Sequence, residues 1–170
     1  MKFNKTPVDW CVNVSSLEFL SEMKEHEGTK EYQIKIGTYK GGKFVKYKDS
    51  LGFWTIGFGH LIKANENFDK GIDDPSADKL LSADLSIAAN DAKKLADKYK
   101  MKLPERAQYV LTGMVFQLGV TKVQKFVKFL TALAKNDYIS AANEMCNSAW
   151  YKQTPNRVKK LSDDIRSLAG

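Results

Sequence analysis

Apolar positions at helical spacing open the patterned part of the chain. Leu17, Leu20 and Met23, with Phe19 beside them, form a stripe behind Ser15 and Glu18, whose spacing is that of a capping box. Gly28 is a natural stop, so the pattern predicts a helix over about 16–27. The pattern then changes period. Ile34, Ile36, Phe44, Val45 and Tyr47 flank Gly41-Gly42, which predicts a hairpin whose turn tolerates positive φ. A short aromatic and β-branched run, Phe53 to Phe58, completes a small sheet after a tight turn at Ser50 to Gly52. Lys63 to Asp74 is polar and loop-like. Pro75 and Ser76 then open a long helix with apolar positions Leu81, Leu85, Ala88, Ala92, Leu95 and Tyr99.

From Pro104 onward the pattern is helical, in segments ending near Gly119, over about 121–135, over about 137–146, and after Thr154-Pro155. Residues 1–14 carry no clear period and read as an arm packed on the body. The expected fold class is α+β, with residues 15–170 as one domain. A small antiparallel sheet lobe (about 29–74) is joined by a connecting helix (about 76–100) to a helical lobe (about 101–170, with residues 16–27). The cleft between such lobes suits an extended ligand.

Composition adds one directional fact. Lys and Arg number 27 against 20 Asp and Glu, a formal charge of +7 that favours a polyanionic partner. With no nucleic-acid-binding motif and no long basic run, a solvated basic face is the better reading than a nucleic-acid binder. Cys11 and Cys146 have no metal-ligand spacing and read as two buried free thiols rather than a disulfide. The amino terminus lacks the apolar run of a secretory signal, and no segment approaches a membrane span. An enzyme with an extracytoplasmic substrate would then need another route of delivery.

The candidate chemistry lies in Glu27 and in the run from Tyr47 to His60. Glu27 ends the first predicted helix, where the partial negative charge of the helix terminus and a desolvating cleft favour the protonated acid. Asp49 sits at an exposed turn, where an ionised carboxylate can orient water, and Thr55 projects from the next strand. An acid, a carboxylate and a hydroxyl on rigid elements are the tools for hydrolysing a glycosidic bond. Each residue also has an ordinary reading. A Glu before a helix-ending Gly is commonly a solvated surface group, and an Asp in a Lys-Asp-Ser-x-Gly turn commonly caps that turn. A strand Thr, and His60 taken alone, are commonly structural.

Four segments, in order, bear a resemblance that favours the catalytic reading: Glu25-His26-Glu27-Gly28; Tyr47-Lys48-Asp49 through Thr55-Ile56-Gly57-Phe58-Gly59-His60; Met114 to Gly119; and Trp150-Tyr151-Lys152-Gln153-Thr154-Pro155-Asn156-Arg157. Together they resemble the T-even phage lysozyme family, the phage-type muramidases of glycoside hydrolase family 24, over most of residues 17–168. The resemblance implies a lysozyme-like fold and hydrolysis of the β-1,4 bond between N-acetylmuramic acid and N-acetylglucosamine in bacterial peptidoglycan, with inversion. It implies Glu27 as general acid and Asp49 with Thr55 positioning the attacking water. It also implies Leu61, Phe116 and Gln117 as saccharide contacts, Arg157 as a basic residue supporting Glu27, and His60 with Asp84 as a structural pair.

No metal and no cofactor are implied. The partner is peptidoglycan, with no nucleic acid and no membrane insertion. The role implied is a phage endolysin, monomeric when free, held in the host cytoplasm and released to the periplasm and wall through a holin. The alternative is a lysozyme carried among phage tail proteins on the virion, and a non-catalytic wall-binding module is a third reading, which the presence of all three catalytic candidates argues against. The chain departs from the T-even pattern in a longer stretch between Glu27 and Asp49, carrying the 29–48 hairpin insertion. It is shorter between His60 and Asp84, and it has Phe129 and Glu144 where that enzyme has polar substrate contacts.

Overall fold

The computed structural model describes residues 3–170; Met1 and Lys2 of the predicted arm lie outside the described residues. The chain forms two compact units: Val14–Ser86, and Ile87–Gly170 together with the segment ending at Asn13. The fold is α+β, as the sequence pattern predicts.

The first unit opens with α1 (Leu17–Glu27), which buries Phe19 and Met23. Its cap is Ser16 rather than Ser15: the Ser16 hydroxyl accepts from Phe19 N–H at 3.4 Å. Sequence reading groups this helix with the later helices, whereas it belongs to the compact unit that holds the strands.

The largest departure from the predicted elements comes next. Residues 30–36 form a helix, α2 (Lys30–Ile36), not a strand. Thr29 caps its start by accepting from Tyr32 N–H, and Gly37 closes its end in the left-handed conformation. The alternation of Ile34 and Ile36 suggests a half-buried strand, yet these side chains are 52% and 53% exposed, and the residue that α2 buries is Gln33.

The hairpin itself is present but shorter, from β1 (Tyr39–Lys40) and β2 (Lys43–Phe44) around Gly41-Gly42, whose φ values of 60° and 75° fit a primed turn. Phe44 is buried and meets the rings of Tyr39 and Phe58 edge-on at 4.7 and 5.1 Å.

A three-stranded antiparallel sheet follows in the order β3 (Tyr47–Lys48), β4 (Trp54–Ile56), β5 (His60–Leu61). Its register places Tyr47 opposite Thr55 and Thr55 opposite Leu61, so these three share one cross-strand row. α3 (Asp74–Lys98) follows, and in the first unit it buries Ala77, Leu81 and Leu85.

The second unit contains α4 (Glu105–Leu118), α5 (Val120–Val123), α6 (Val127–Ala134), α7 (Tyr138–Cys146), α8 (Ala149–Gln153) and α9 (Pro155–Arg166). The single helix predicted over about 121–135 is two, broken around Gln124 to Phe126. One apolar core runs through the unit, including Leu111, Met114, Leu130, Leu133, Met145, Trp150, Val158 and Ile165.

The amino-terminal arm is fixed to this unit by backbone and side chain alike. Val8 N–H donates to Leu103 O, Cys11 N–H to Gln108 Oε1 and Asn13 N–H to the Tyr109 hydroxyl. Both cysteines are free, as expected, but neither is fully buried: Cys11 is exposed and Cys146 half-buried. Partial desolvation of the Cys11 sulfur and then the neighbouring Glu105 carboxylate push that thiol above its usual range. Among the described residues no helix is long and apolar enough to cross a membrane. No group of three or more His, Cys, Asp or Glu among them is arranged to hold a metal ion.

Candidate active site

Glu27 is the last residue of α1, so its side chain leaves the helix just as the backbone turns at Gly28. Its carboxyl group packs directly on Gly59, between β4 and β5. A Cβ built on Gly59 would overlap Glu27 Oε1 and lie 3.1 Å from Glu27 Cδ. Gly59 also has φ +83°, a conformation that side-chain-bearing residues rarely adopt. The position therefore needs glycine twice over.

Asp49 closes the turn between β3 and β4. Leu51 N–H and Phe53 N–H both donate to Asp49 Oδ1 at 2.9 Å, and the Asp49 and Phe53 backbones pair. The ordinary reading of this residue, a turn cap, is thus correct for Oδ1. Oδ2 takes no hydrogen bond among the described residues, and an ionised carboxylate retains accepting capacity there. Thr55 is 3% exposed, and its hydroxyl donates to Phe53 O at 3.1 Å. With its single proton used, the hydroxyl oxygen can only accept from a further group. The Phe53 peptide ties Asp49 and Thr55 into one rigid piece.

Tyr47, on β3, extends this group. It stands opposite Thr55 and two residues before Asp49, and its phenol is within electrostatic reach of both carboxyl groups. Burial, and then the charges of Glu27 and Asp49, push that phenol above its ordinary value. Sequence reading did not single out Tyr47, although a period of two from Asp49 and Thr55 was the available signal.

Leu61, half exposed, completes the Tyr47–Thr55 row. Phe116, Gln117 and Arg157 belong to the other unit. Gln117 Oε1 accepts from Trp150 Nε1 at 2.9 Å, and its Nε2 donates to Thr154 Oγ1 at 3.3 Å, so its amide has structural work inside that unit. Arg157 is buried on α9.

His60 is held from two sides. Nδ1 lies 2.8 Å from Asp84 Oδ2 on α3, and Nε2 lies 3.0 Å from Glu66 Oε1. Glu66 is a second carboxylate partner of His60, one that no spacing in the sequence announces. The Asp84 hydrogen bond, followed by that of Glu66, raises the His60 ring above its usual value against the opposing effect of burial. Glu66 is lowered, first by Lys63 N–H and then by His60.

A raised folded-state histidine contributes stability that is complete below its unfolded value near 6.5 and is lost as pH rises through the folded value. The expected outcome is that thermal melts of His60→Asn and the parent differ most near pH 6 and converge at alkaline pH. A pH-independent difference would count against an imidazolium between the two acids.

Comparison with known proteins gives the class, the glycosidases. The phage lysozyme family model matches residues 37–166, well over half of the chain, and the protein belongs to that family. It is 31% identical over 146 residues to probable T4-type lysozyme 2 of Dictyostelium discoideum, covering 72% of this chain and 85% of that relative. It is also 30% identical over 146 residues to the pre-baseplate central spike protein Gp5 of Enterobacteria phage T4, spanning 25% of it. A third similarity, 27% over 130 residues, is to peptidoglycan hydrolase gp36 of Pseudomonas phage phiKMV, spanning 14% of it. The family match begins after Glu27, so the case for that residue stands on its packing against Gly59.

Proposed function

We propose that this chain is an N-acetylmuramidase that cleaves the β-1,4 bond between N-acetylmuramic acid and N-acetylglucosamine in bacterial peptidoglycan. Glu27 donates its proton to the glycosidic oxygen as the bond to the anomeric carbon breaks. Water attacks that carbon from the opposite face, with Asp49 Oδ2 and the Thr55 hydroxyl oxygen accepting its hydrogens, and Asp49 takes up the released proton. The anomeric configuration inverts. The observation that supports this reading is the packing of the Glu27 carboxyl group on Gly59, at the end of the strand pair whose other end carries Asp49 and Thr55 bonded to Phe53. Similarity to a peptidoglycan hydrolase supports the substrate. Leu61, Phe116 and Gln117 are proposed saccharide contacts and Arg157 a basic support for Glu27.

Digestion of purified sacculi, borohydride reduction and mass analysis of the new ends test the bond. Muramitol is expected, and glucosaminitol or anhydromuramic ends would refute the assignment. Asp49 separates its two jobs by substitution. Asp49→Asn keeps an Oδ1 acceptor for the turn and is expected to melt like the parent while losing about 10²-fold or more in turnover. Asp49→Ala also loses the cap and is expected to lose about 1 kcal/mol of stability besides.

The role proposed is host lysis as an endolysin, released to the wall through a holin. Similarity to the spike protein Gp5 favours one alternative, carriage on the virion tail. Mass spectrometry of purified virions separates the two, since only the second places this chain in the particle.

A further inference from the structure

α2 buries a glutamine and exposes its two isoleucines, the reverse of what packing alone would select. Gln33 is 2% exposed. Both amide hydrogens are used: Nε2 donates to Gly28 O and to Gly57 O, each at 3.0 Å. Its Oε1 accepts from the Thr38 hydroxyl at 3.1 Å. The orientation of the amide is dictated by its partners, because the reverse would set an oxygen against two carbonyls.

The two carbonyls belong to the segments that matter most to Glu27. Gly28 follows the acid directly. Gly57 begins the turn whose Gly59 supports the acid's carboxyl group. One side chain thus ties the end of α1 to the turn between β4 and β5. Three further contacts hold α2 and its hairpin in place: the caps at Thr29 and Gly37, and the Lys30–Asp74–Tyr39 cluster, in which Lys30 Nζ lies 2.7 Å and the Tyr39 hydroxyl 2.8 Å from the Asp74 carboxylate. Gln33 lies before residue 37, where the family match begins, in the stretch between Glu27 and Asp49.

We propose that Gln33 is a positioning residue, through which the inserted helix holds Glu27 against Gly59 in the geometry that proton donation requires. The proposal rests on the reading of Glu27 as the acid. Misplacement of a reacting group costs turnover rather than binding. With soluble uncross-linked glycan fragments as substrate, Gln33→Met is expected to lower kcat about tenfold or more and leave KM within about twofold.

Gln33→Glu supplies the discriminating readout. Its carboxylate would repel both carbonyls, whereas its protonated form can donate to one. Its kcat relative to the parent is therefore expected to recover as pH falls. Tyr39→Phe, which removes the Asp74 hydrogen bond elsewhere on the insertion, is expected to keep the parent's kcat.

Parent-like kcat in Gln33→Met, a loss matched by Tyr39→Phe at equal loss of melting temperature, or a pH-independent defect in Gln33→Glu would each overturn the proposal. Should Gln33→Met fail to fold, Gln33→Glu decides through its pH profile. Backbone amide NMR gives an arm independent of activity: Gly28, Gly57 and Gly59 are expected to shift in Gln33→Glu at neutral pH, and unmoved Gly59 resonances would overturn the clamp. If the parent releases no fragments, the reading of Glu27 as acid fails instead, and the amide shifts still decide whether Gln33 holds Gly59.

Discussion

Glu27→Gln is expected to melt like the parent and to hydrolyse peptidoglycan about 10²–10⁴-fold more slowly, the range over which positioned proton transfer contributes. The substitution keeps the shape of the side chain, so its packing on Gly59 survives. An amide nitrogen has no proton to give to a departing oxygen at ordinary pH, and the sugar must then leave as an unprotonated alkoxide. Turbidity loss of permeabilised bacteria, normalised to folded protein, reads this directly. Retained lysis would remove Glu27 from the mechanism. Lost lysis with a lowered melting temperature would instead mark it as structural.

Gly59→Ala should be nearly as damaging without touching a titratable group. A methyl at this position meets the Glu27 carboxylate head-on, and φ +83° strains any L side chain there. The acid has to move, and displacement of a catalytic group by about 1 Å can cost about 10²-fold in rate. The left-handed backbone adds about 1–2 kcal/mol of destabilisation. Gly42→Ala is the matched control. Its φ of +75° imposes similar strain at the hairpin tip, but nothing lies within 4 Å of the added methyl. Activity per folded molecule should fall in Gly59→Ala and hold in Gly42→Ala. An equal fall in both would mean that backbone strain, not contact with the acid, is responsible.

Legibility in the sequence followed the length of the pattern. α3 repeats its apolar spacing over 25 residues and was readable end to end. The Asp49 turn and the Thr55 strand were readable because Gly and Ser residues fix the turn and β-branched and aromatic residues fix the strand. α2 was not. It is 7 residues long, and the alternation of Ile34 and Ile36 carries no information about which side is buried. Gln33 is the inward residue because its amide reaches Gly28 O and Thr38 nearby and Gly57 O 24 positions along the chain. The break between α5 and α6, at residues 124–126, likewise has no glycine or proline to announce it.

The site divided in the same way. Glu27 and Asp49 stood out by their positions at a helix end and a turn, and His60 with Asp84 by resemblance. Glu66 reaches His60 through a loop turn anchored at Lys63 N–H, which no spacing announces. Tyr47 was within reach of a strand-register argument, since residues two apart share a face.

In the proposed reaction water, held by Asp49 and Thr55 opposite Glu27, attacks the anomeric carbon directly. The most direct test is proton NMR of the anomeric region during the first moments of hydrolysis of a soluble muramic-acid-containing oligosaccharide, before mutarotation mixes the products. The α-anomer of the new reducing end is expected to appear first. First appearance of the β-anomer would mean that a covalent or otherwise retained intermediate precedes the water, and would contradict direct attack.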